Sequence, residues 1–283
     1  MSQARLFLLT SLAMIAFAGN SLLCRLALGH TAIDPASFTA VRLAAGAASL
    51  WLVVRLRSRE AAGGSRGNWG SAVALLVYAA AFSFAYVSLP AGAGALLLFG
   101  AVQATMIGHG LWAGERPGPM QALGLVTSLA GLAALLLPGL GAPPLEGSLL
   151  MLAAGAAWGI YSLRGRGGGD ATRVTAGNFL RATPLALGLG LVMLPWSSID
   201  AAGFGYAAAS GALASGLGYA VWYTALRGLA GPTAATVQLS VPAIAAAGGA
   251  LFLSEPVTLR LVLCSVTILG GIALVIQGQR RAR

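Results

Sequence analysis

The chain contains ten unbroken apolar runs, each close to the length that crosses a bilayer's hydrocarbon core as a helix, about 20 residues. They span residues 6–28, 36–54, 71–89, 91–113, 120–137, 147–163, 174–194, 206–226, 232–252 and 257–276. Barrel strands are about half this length and alternate in polarity, so the runs read as helices. A helix satisfies its backbone N–H and C=O groups within one segment, which lipid requires. Short breaks such as Gly114-Glu115-Arg116-Pro117 and Ser254-Glu255-Pro256 supply the turns. The expected fold class is an all-α integral membrane protein with ten transmembrane helices.

Composition removes the alternatives. Of 283 residues, 58% are hydrophobic and only 8% charged, too few ionic groups to clothe a water-soluble globule of this size. Ten spans leave no room for a soluble catalytic domain. Cys24 and Cys264 lie inside apolar runs without partners at metal-ligand spacing, so neither a disulfide framework nor a metal site is expected. Neither a Ser/His/Asp set, an HExxH motif nor an intramembrane aspartate pair occurs. The expectation is a non-enzyme that uses no cofactor.

The net charge of +10 comes entirely from arginine. These arginines fall between apolar runs rather than along one helix face, which argues for membrane topology and against a nucleic-acid partner. Arg5, Arg55, Arg57, Arg59, Arg66, Arg116, Arg164, Arg166, Arg173, Arg227, Arg280, Arg281 and Arg283 all fall on one side. The connections of the other side, around residues 31–35, 89–90, 138–146, 196–200 and 254–256, hold none. Positive charge accumulates on the cytoplasmic side, so both termini are expected there. Arg5 with Ala16-Phe17-Ala18 also resembles a cleavable signal segment, but the repeat described next favours a retained first helix.

Shifting the chain by 140 residues lays the fifth run on the tenth. Glu115, Leu123, Val126, Thr127, Leu129, Gly131 and Ala133 fall on Glu255, Leu263, Val266, Thr267, Leu269, Gly271 and Ala273. The same shift pairs Gly108 with Gly248, and Ala18-Gly19 with Trp158-Gly159; a shift of 139 pairs Arg42 with Arg181. Each half holds an odd number of spans, so the halves, residues 1–140 and 141–283, enter the membrane from opposite sides. Their charges agree: the connection after run two has four arginines and its counterpart after run seven has none. Two inverted five-helix repeats are expected, with a binding site at their interface.

This five-plus-five plan, Trp158-Gly159 opening the second half, Arg42 and Arg181 in equivalent helices, and the turns at Glu115 and Glu255-Pro256 resemble the drug/metabolite transporter superfamily, and within it the EamA-type exporters. The first half departs from the pattern at Ala18, where the second has tryptophan. The resemblance implies a multi-pass protein of the bacterial inner membrane that exports small metabolites. Ten-helix members of that branch include exporters of amino acids, some of them aromatic.

Large aromatic and polar groups within the runs are the candidates for substrate contact. Tyr219, Trp222 and Tyr223 share a helix face at i, i+3 and i+4, and Tyr78, Phe82 and Tyr86 repeat every four residues. Phe82 aligns with Trp222, so the two faces are related by the repeat, and Trp158 and Tyr161 complete an aromatic lining. Each ring singly reads as well as a packing or interfacial residue. Among polar residues, Asn20 and Gln238 sit near midspan and are expected to face a cavity, with Ser83 beside the third-run aromatics. Gln103, His109 and Ser240 read more simply as hydrogen bonders between helices. Pro232 and Pro242 are expected to loosen the ninth run and free carbonyls for a substrate ammonium.

Arg42 and Arg181, being equivalent, read as braces donating to carbonyls or snorkelling rather than as anion contacts. Small-residue stretches at 124–128 and 153–157 read as helix-packing surfaces. All seven acidic residues fall in or beside breaks, so the expected transport is facilitated or potential-assisted, without a dedicated protonatable carboxylate. The expected partners are a small-molecule substrate and the lipid bilayer, with monomer and homodimer both open. Broad efflux of lipophilic drugs and a non-transporting receptor or assembly subunit stand as rival readings.

Overall fold

A computed structural model describes residues 1–57, 67–114, 116–139, 141–165, 170–229 and 231–281. Arg59, Glu60, Arg66, Glu115, Arg166 and Arg283, which entered the charge and repeat arguments, lie outside the described residues. Among the described residues the chain is helical, without strands. The helices are α1 (Gln3–His30), α2 (Pro35–Arg57), α3 (Trp69–Tyr86), α4 (Ala91–Trp112), α5 (Pro119–Leu136), α6 (Leu145–Arg164) and α7 (Ala171–Val192). They continue as α8 (Ala201–Ala209), α9 (Gly218–Leu226), α10 (Gly231–Gln238), α11 (Ser240–Phe252) and α12 (Leu259–Arg281).

Among the described residues, seven segments are long and apolar enough to cross a membrane: Gln3–His30, Pro35–Leu56, Trp69–Tyr86, Ala91–Trp112, Pro119–Leu136, Thr233–Phe252 and Leu259–Gly278. The runs expected at 147–163, 174–194 and 206–226 are helical too, but they are not among these seven. Polar content separates the first two, since α6 carries Glu146 and Arg164 and α7 carries Arg173, Asn178 and Arg181, while the third is divided into shorter helical pieces. The outer surface is apolar, with Phe7, Val126, Leu191, Leu263 and Val266 exposed, as lipid rather than water demands.

Two of the expected runs are not single regular helices. The eighth starts at Ala201 and passes through a π-helical stretch, Ser210–Leu217, between α8 and α9. Its Gly211 lies against the backbone of Arg42 in α2, too close for a side chain. The ninth breaks at Leu239, between α10 and α11. Pro242 has no N–H to return to Gln238, so that carbonyl loses its helical partner.

α5 packs along α12, α2 along α7, and α6 against both α3 and α4, while α1 contacts α9 and α11. Small residues make the α5–α12 approach possible. A Cβ on Gly124 would stand 2.5 Å from the Gly271 carbonyl oxygen, and one on Gly271 equally close to that of Gly124. Ser128 Oγ donates to the Ile268 carbonyl across the same contact at 3.2 Å. Gly155 in α6 likewise meets Ala101 of α4.

Candidate functional site

A cavity of about 580 Å³ lies between α1, α3, α4, α6, α7, α9, α10 and the π-helical stretch. That volume falls in the range of small-molecule pockets. Its walls are aromatic. Trp158 stacks on Tyr161 (centroids 5.1 Å, planes 19°) and on Tyr219 (5.3 Å, 15°), and Tyr219 stacks in turn on Tyr223 at 6.3 Å. Tyr78 lies 4.8 Å from Trp158 on the α3 side, and Phe17 of α1 packs against Tyr219 and Trp222. Two halves of the chain therefore contribute rings to one surface.

Hydrogen bonds hold these rings in place. Asn178 Nδ2 donates to the Tyr161 hydroxyl at 3.2 Å, and Thr175 and Tyr223 share a hydrogen bond of 3.0 Å between their hydroxyls. The Tyr78 hydroxyl accepts from Arg42 Nη2 at 3.0 Å and from Asn20 Nδ2 at 3.4 Å. Ser210 Oγ, in the π-helical stretch, donates to Asn20 Oδ1 at 2.7 Å. Polar groups at this depth need such partners, and pairing fixes their geometry.

Of the residues singled out from the sequence, Asn20, Tyr78, Phe82, Trp158, Tyr161, Tyr219, Trp222, Tyr223 and Gln238 line this cavity. Ser83 and Tyr86 do not. Ser83 is fully buried, accepting from Thr39 Oγ1 at 2.9 Å and donating to the Ala79 carbonyl. Tyr86 wedges between α3 and α4, its hydroxyl donating to the Ala91 carbonyl at 3.2 Å and its ring edge-on to Phe82. Gln103 lines the cavity, whereas His109 lies outside it near Trp112.

Sequence reasoning passed over Phe17, Thr175, Asn178 and Ser215, all part of the lining. A signal existed for some: Phe17 shares the Asn20 face at i+3, and Thr175 and Asn178 form a polar i, i+3 pair in an apolar run. Arg42 also departs from its expected role. Arg181 Nη1 donates to the Gly177 carbonyl at 2.9 Å, as a brace would. Arg42 instead stacks over the Phe82 ring at 4.8 Å and the Tyr78 ring at 5.2 Å, with 1% of its surface exposed.

The two ends of the cavity differ. Exposed Asn68, Arg164, Gly165 and Leu226 rim one end, where Arg164 Nη2 donates to Asn68 Oδ1 at 3.1 Å. Buried Asn20, Tyr78 and Phe82 belong to its inner part. Beyond them, at the opposite end of the bundle, Arg25 Nε pairs with Glu255 Oε1 at 3.0 Å, and Arg25 Nη1 donates to the carbonyls of Tyr86 and Val87. Glu255 Oε2 accepts the Ala91 N–H at 2.8 Å, capping α4. This cluster joins α1, the α3–α4 connection and the α11–α12 connection.

A second tie at that end joins the α1–α2 connection to residues just before α8. Asp34 accepts from the backbone of Ala36 and Ser37 and, through Oδ2, from Ser198 at 3.0 Å, while Asp200 accepts from the Ala32 N–H. Burial raises the Asp34 pKa, but the hydrogen bonds from Ser37, Ser198 and Ala36 outweigh it and hold the carboxyl below its ordinary range. No lining residue among those described is acidic; the one formal charge in the lining is Arg164.

An apolar-surfaced helical bundle around a solute-sized cavity has the form of a membrane carrier. The model of the EamA-like transporter family matches residues 145–277. A Pseudomonas aeruginosa protein described as uncharacterized is 58% identical over 276 residues, covering 98% of this chain and 96% of that protein. A crystal structure titled only as that of a protein superposes with a TM-score of 0.67 at 19% identity, over the full length of both chains, and shares the fold. Residues 145–277, a little under half of the chain, thus match a family of membrane transporters.

Proposed function

We propose that the protein exports small organic solutes, amino acids with apolar or aromatic side chains fitting best, by alternating access between two inverted five-helix halves. The observation that carries this reading is a cavity walled by both halves, rimmed by exposed residues at one end and backed by a closed ion-pair cluster at the other. The packing supports the repeat. α2 against α7 and α5 against α12 pair equivalent elements, and α3 with α6 is matched by α9 with α1, as a pseudo-twofold axis in the membrane plane requires. On this reading α6, α7 and the α8–α9 segment complete ten spans, and several of their polar residues, Arg164, Thr175, Asn178 and Ser215 among them, face the cavity rather than lipid.

The arginine distribution supports a cytoplasmic open end and cytoplasmic termini, and on that orientation the solute enters from the cell interior. Stacked rings suit a planar or apolar body. Asn20 and Gln238, with the carbonyl that Pro242 leaves without a helical partner, supply neutral hydrogen-bonding groups for a small polar head. The test is counterflow in liposomes containing only this protein, with labelled amino acids, organic acids and lipophilic cations. Exchange of amino acids, inhibited by free amino acids more than by their amides, is expected. Exchange of lipophilic cations alone replaces the reading with drug efflux, and no exchange of any solute removes the carrier reading.

A further inference from the structure

Arg42 is the largest fully buried side chain that bears a charge, and the packing leaves its donors unfilled. Nη2 donates to the Tyr78 hydroxyl, but Nε and Nη1 have no acceptor among the described residues. A guanidinium out of water is costly unless its donors are satisfied, and two π faces compensate only in part. The bracing explanation fits Arg181, which bonds a carbonyl of its own helix, and does not fit Arg42. Among the described residues, the titratable groups that act on Arg42 are Tyr78, Cys24 and Tyr219, none of them a carboxylate.

Its position ties it to the cavity. Tyr78 and Phe82, the two rings it stacks on, both line that space, and so does Asn20, which shares the Tyr78 hydroxyl with it. Ser215, in the stretch packed on α2, lines the cavity as well, and its buried Oγ is also without a partner among the described residues. Among the described residues the wall contains no acidic side chain, and Arg164 stands at the rim, so the formal charge of the described lining is positive. That arrangement disfavours a cation and favours an anionic group.

Resting on the carrier reading, we propose that the transported solute bears a carboxylate and that Arg42 is its receptor. The Tyr78 hydroxyl occupies the guanidinium's acceptor position in the structure. A carboxylate is the stronger acceptor and can take two parallel N–H bonds from one arginine, so a modest swing of Tyr78 exchanges a neutral partner for an ionic one. The aromatic stack then holds the solute's body.

The test is equilibrium binding to the full-length protein in detergent, followed by tryptophan fluorescence. Four probes are used: 3-phenylpropionate, L-phenylalanine, L-phenylalanine amide and phenethylamine. The wild type is expected to prefer the two carboxylates by about tenfold or more, the strength of one charge-assisted hydrogen bond. Arg42→Gln and Arg42→Met are expected to abolish that preference by weakening the carboxylates about tenfold more than the amide, with the far-ultraviolet circular dichroism of each variant reporting its fold. A wild type without the preference, or a preference that survives Arg42→Gln, overturns the proposal. Should the neutral variants not fold, the Arg42 Nε–H resonance of the wild type decides, assigned by its loss in Arg42→Lys. It must move with 3-phenylpropionate and not with the amide; a resonance indifferent to both overturns the site. Loss of counterflow with carboxylate binding intact would remove the carrier reading and keep the receptor, whereas counterflow without carboxylate preference would do the reverse.

Discussion

Replacing Glu255 with glutamine should open the sealed end of the bundle. Glu255 does two things at once: Oε1 takes the Arg25 guanidinium, and Oε2 caps the first N–H of α4. The side chains are 22% and 13% exposed, so the pair is largely but not wholly shielded from water. Charges about 4 Å apart attract by about 4 kcal/mol at the effective dielectric of such a site, and desolvation and ordering return part of that. The charge at the helix N-terminus adds about 0.5–1 kcal/mol. Glutamine keeps the shape and loses the charge, so the sealed arrangement should lose about 2–3 kcal/mol net. In the alternating-access cycle proposed above, that shifts the population toward the state open at this end by roughly 30- to 150-fold.

Cys24 is a built-in reporter, adjacent in sequence to Arg25 and fully buried. In a Cys264→Ser background it is the only thiol. Its modification by a membrane-impermeant maleimide, applied from the side bearing Pro90 and Ser254, should be slow in the parent and faster by the stated factor in Glu255→Gln. Arg25→Gln should give a similar rise, and the double variant should fall short of additivity because both remove one interaction. An unchanged rate would refute the latch. So would equal acceleration from both sides, which would report general loosening rather than opening of one end.

Trp158→Leu should weaken solute binding about tenfold, because it removes the ring that links Tyr161, Tyr78 and Tyr219; the half-saturating concentration in counterflow reports it. Gly271→Ala should lower the detergent melting temperature, as its methyl group would press on the Gly124 carbonyl at a cost of about 1–3 kcal/mol. Asp34 has a lowered folded-state pKa, so its contribution to stability is present above the unfolded value of about 3.9 and is lost as pH falls through the folded value. The melting deficit of Asp34→Asn should therefore be clear at neutral pH and fade on acidification below about pH 4.

How much of this was written in the sequence depends on which solvent a residue meets. Lipid leaves long apolar runs, so helix positions were legible to within a few residues; the run expected at 91–113 is α4, Ala91–Trp112. The aromatic faces were legible because helical spacing alone puts Tyr219, Trp222 and Tyr223 on one side. The same rule extended the α3 stripe one turn too far. Tyr86 shares the face of Tyr78 and Phe82, but its ring sits where only Gly94 of α4 leaves room, so packing closes the cavity before reaching it. The breaks in the eighth and ninth runs had different visibility. Pro242 announces one, whereas the π-helical stretch depends on how Gly211 and Ser210 meet α2 and Asn20, which no periodicity encodes.

Arg42 and Arg181 mark the limit of reading function from a repeat. Alignment makes them equivalent, and equivalence argues for one shared structural task. Yet a repeated position inherits a backbone direction, not a set of neighbours. In α7 the guanidinium finds the Gly177 carbonyl one turn away. In α2 it meets Tyr78 and Phe82, and Gly211 lies against the Arg42 backbone from the other side. The first arginine donates to a carbonyl of its own helix, while two donors of the second find no acceptor among the described residues. On the proposed repeat, two equivalent arginines meet different neighbours, and the unfilled donors of Arg42 are what make it the proposed contact for a solute.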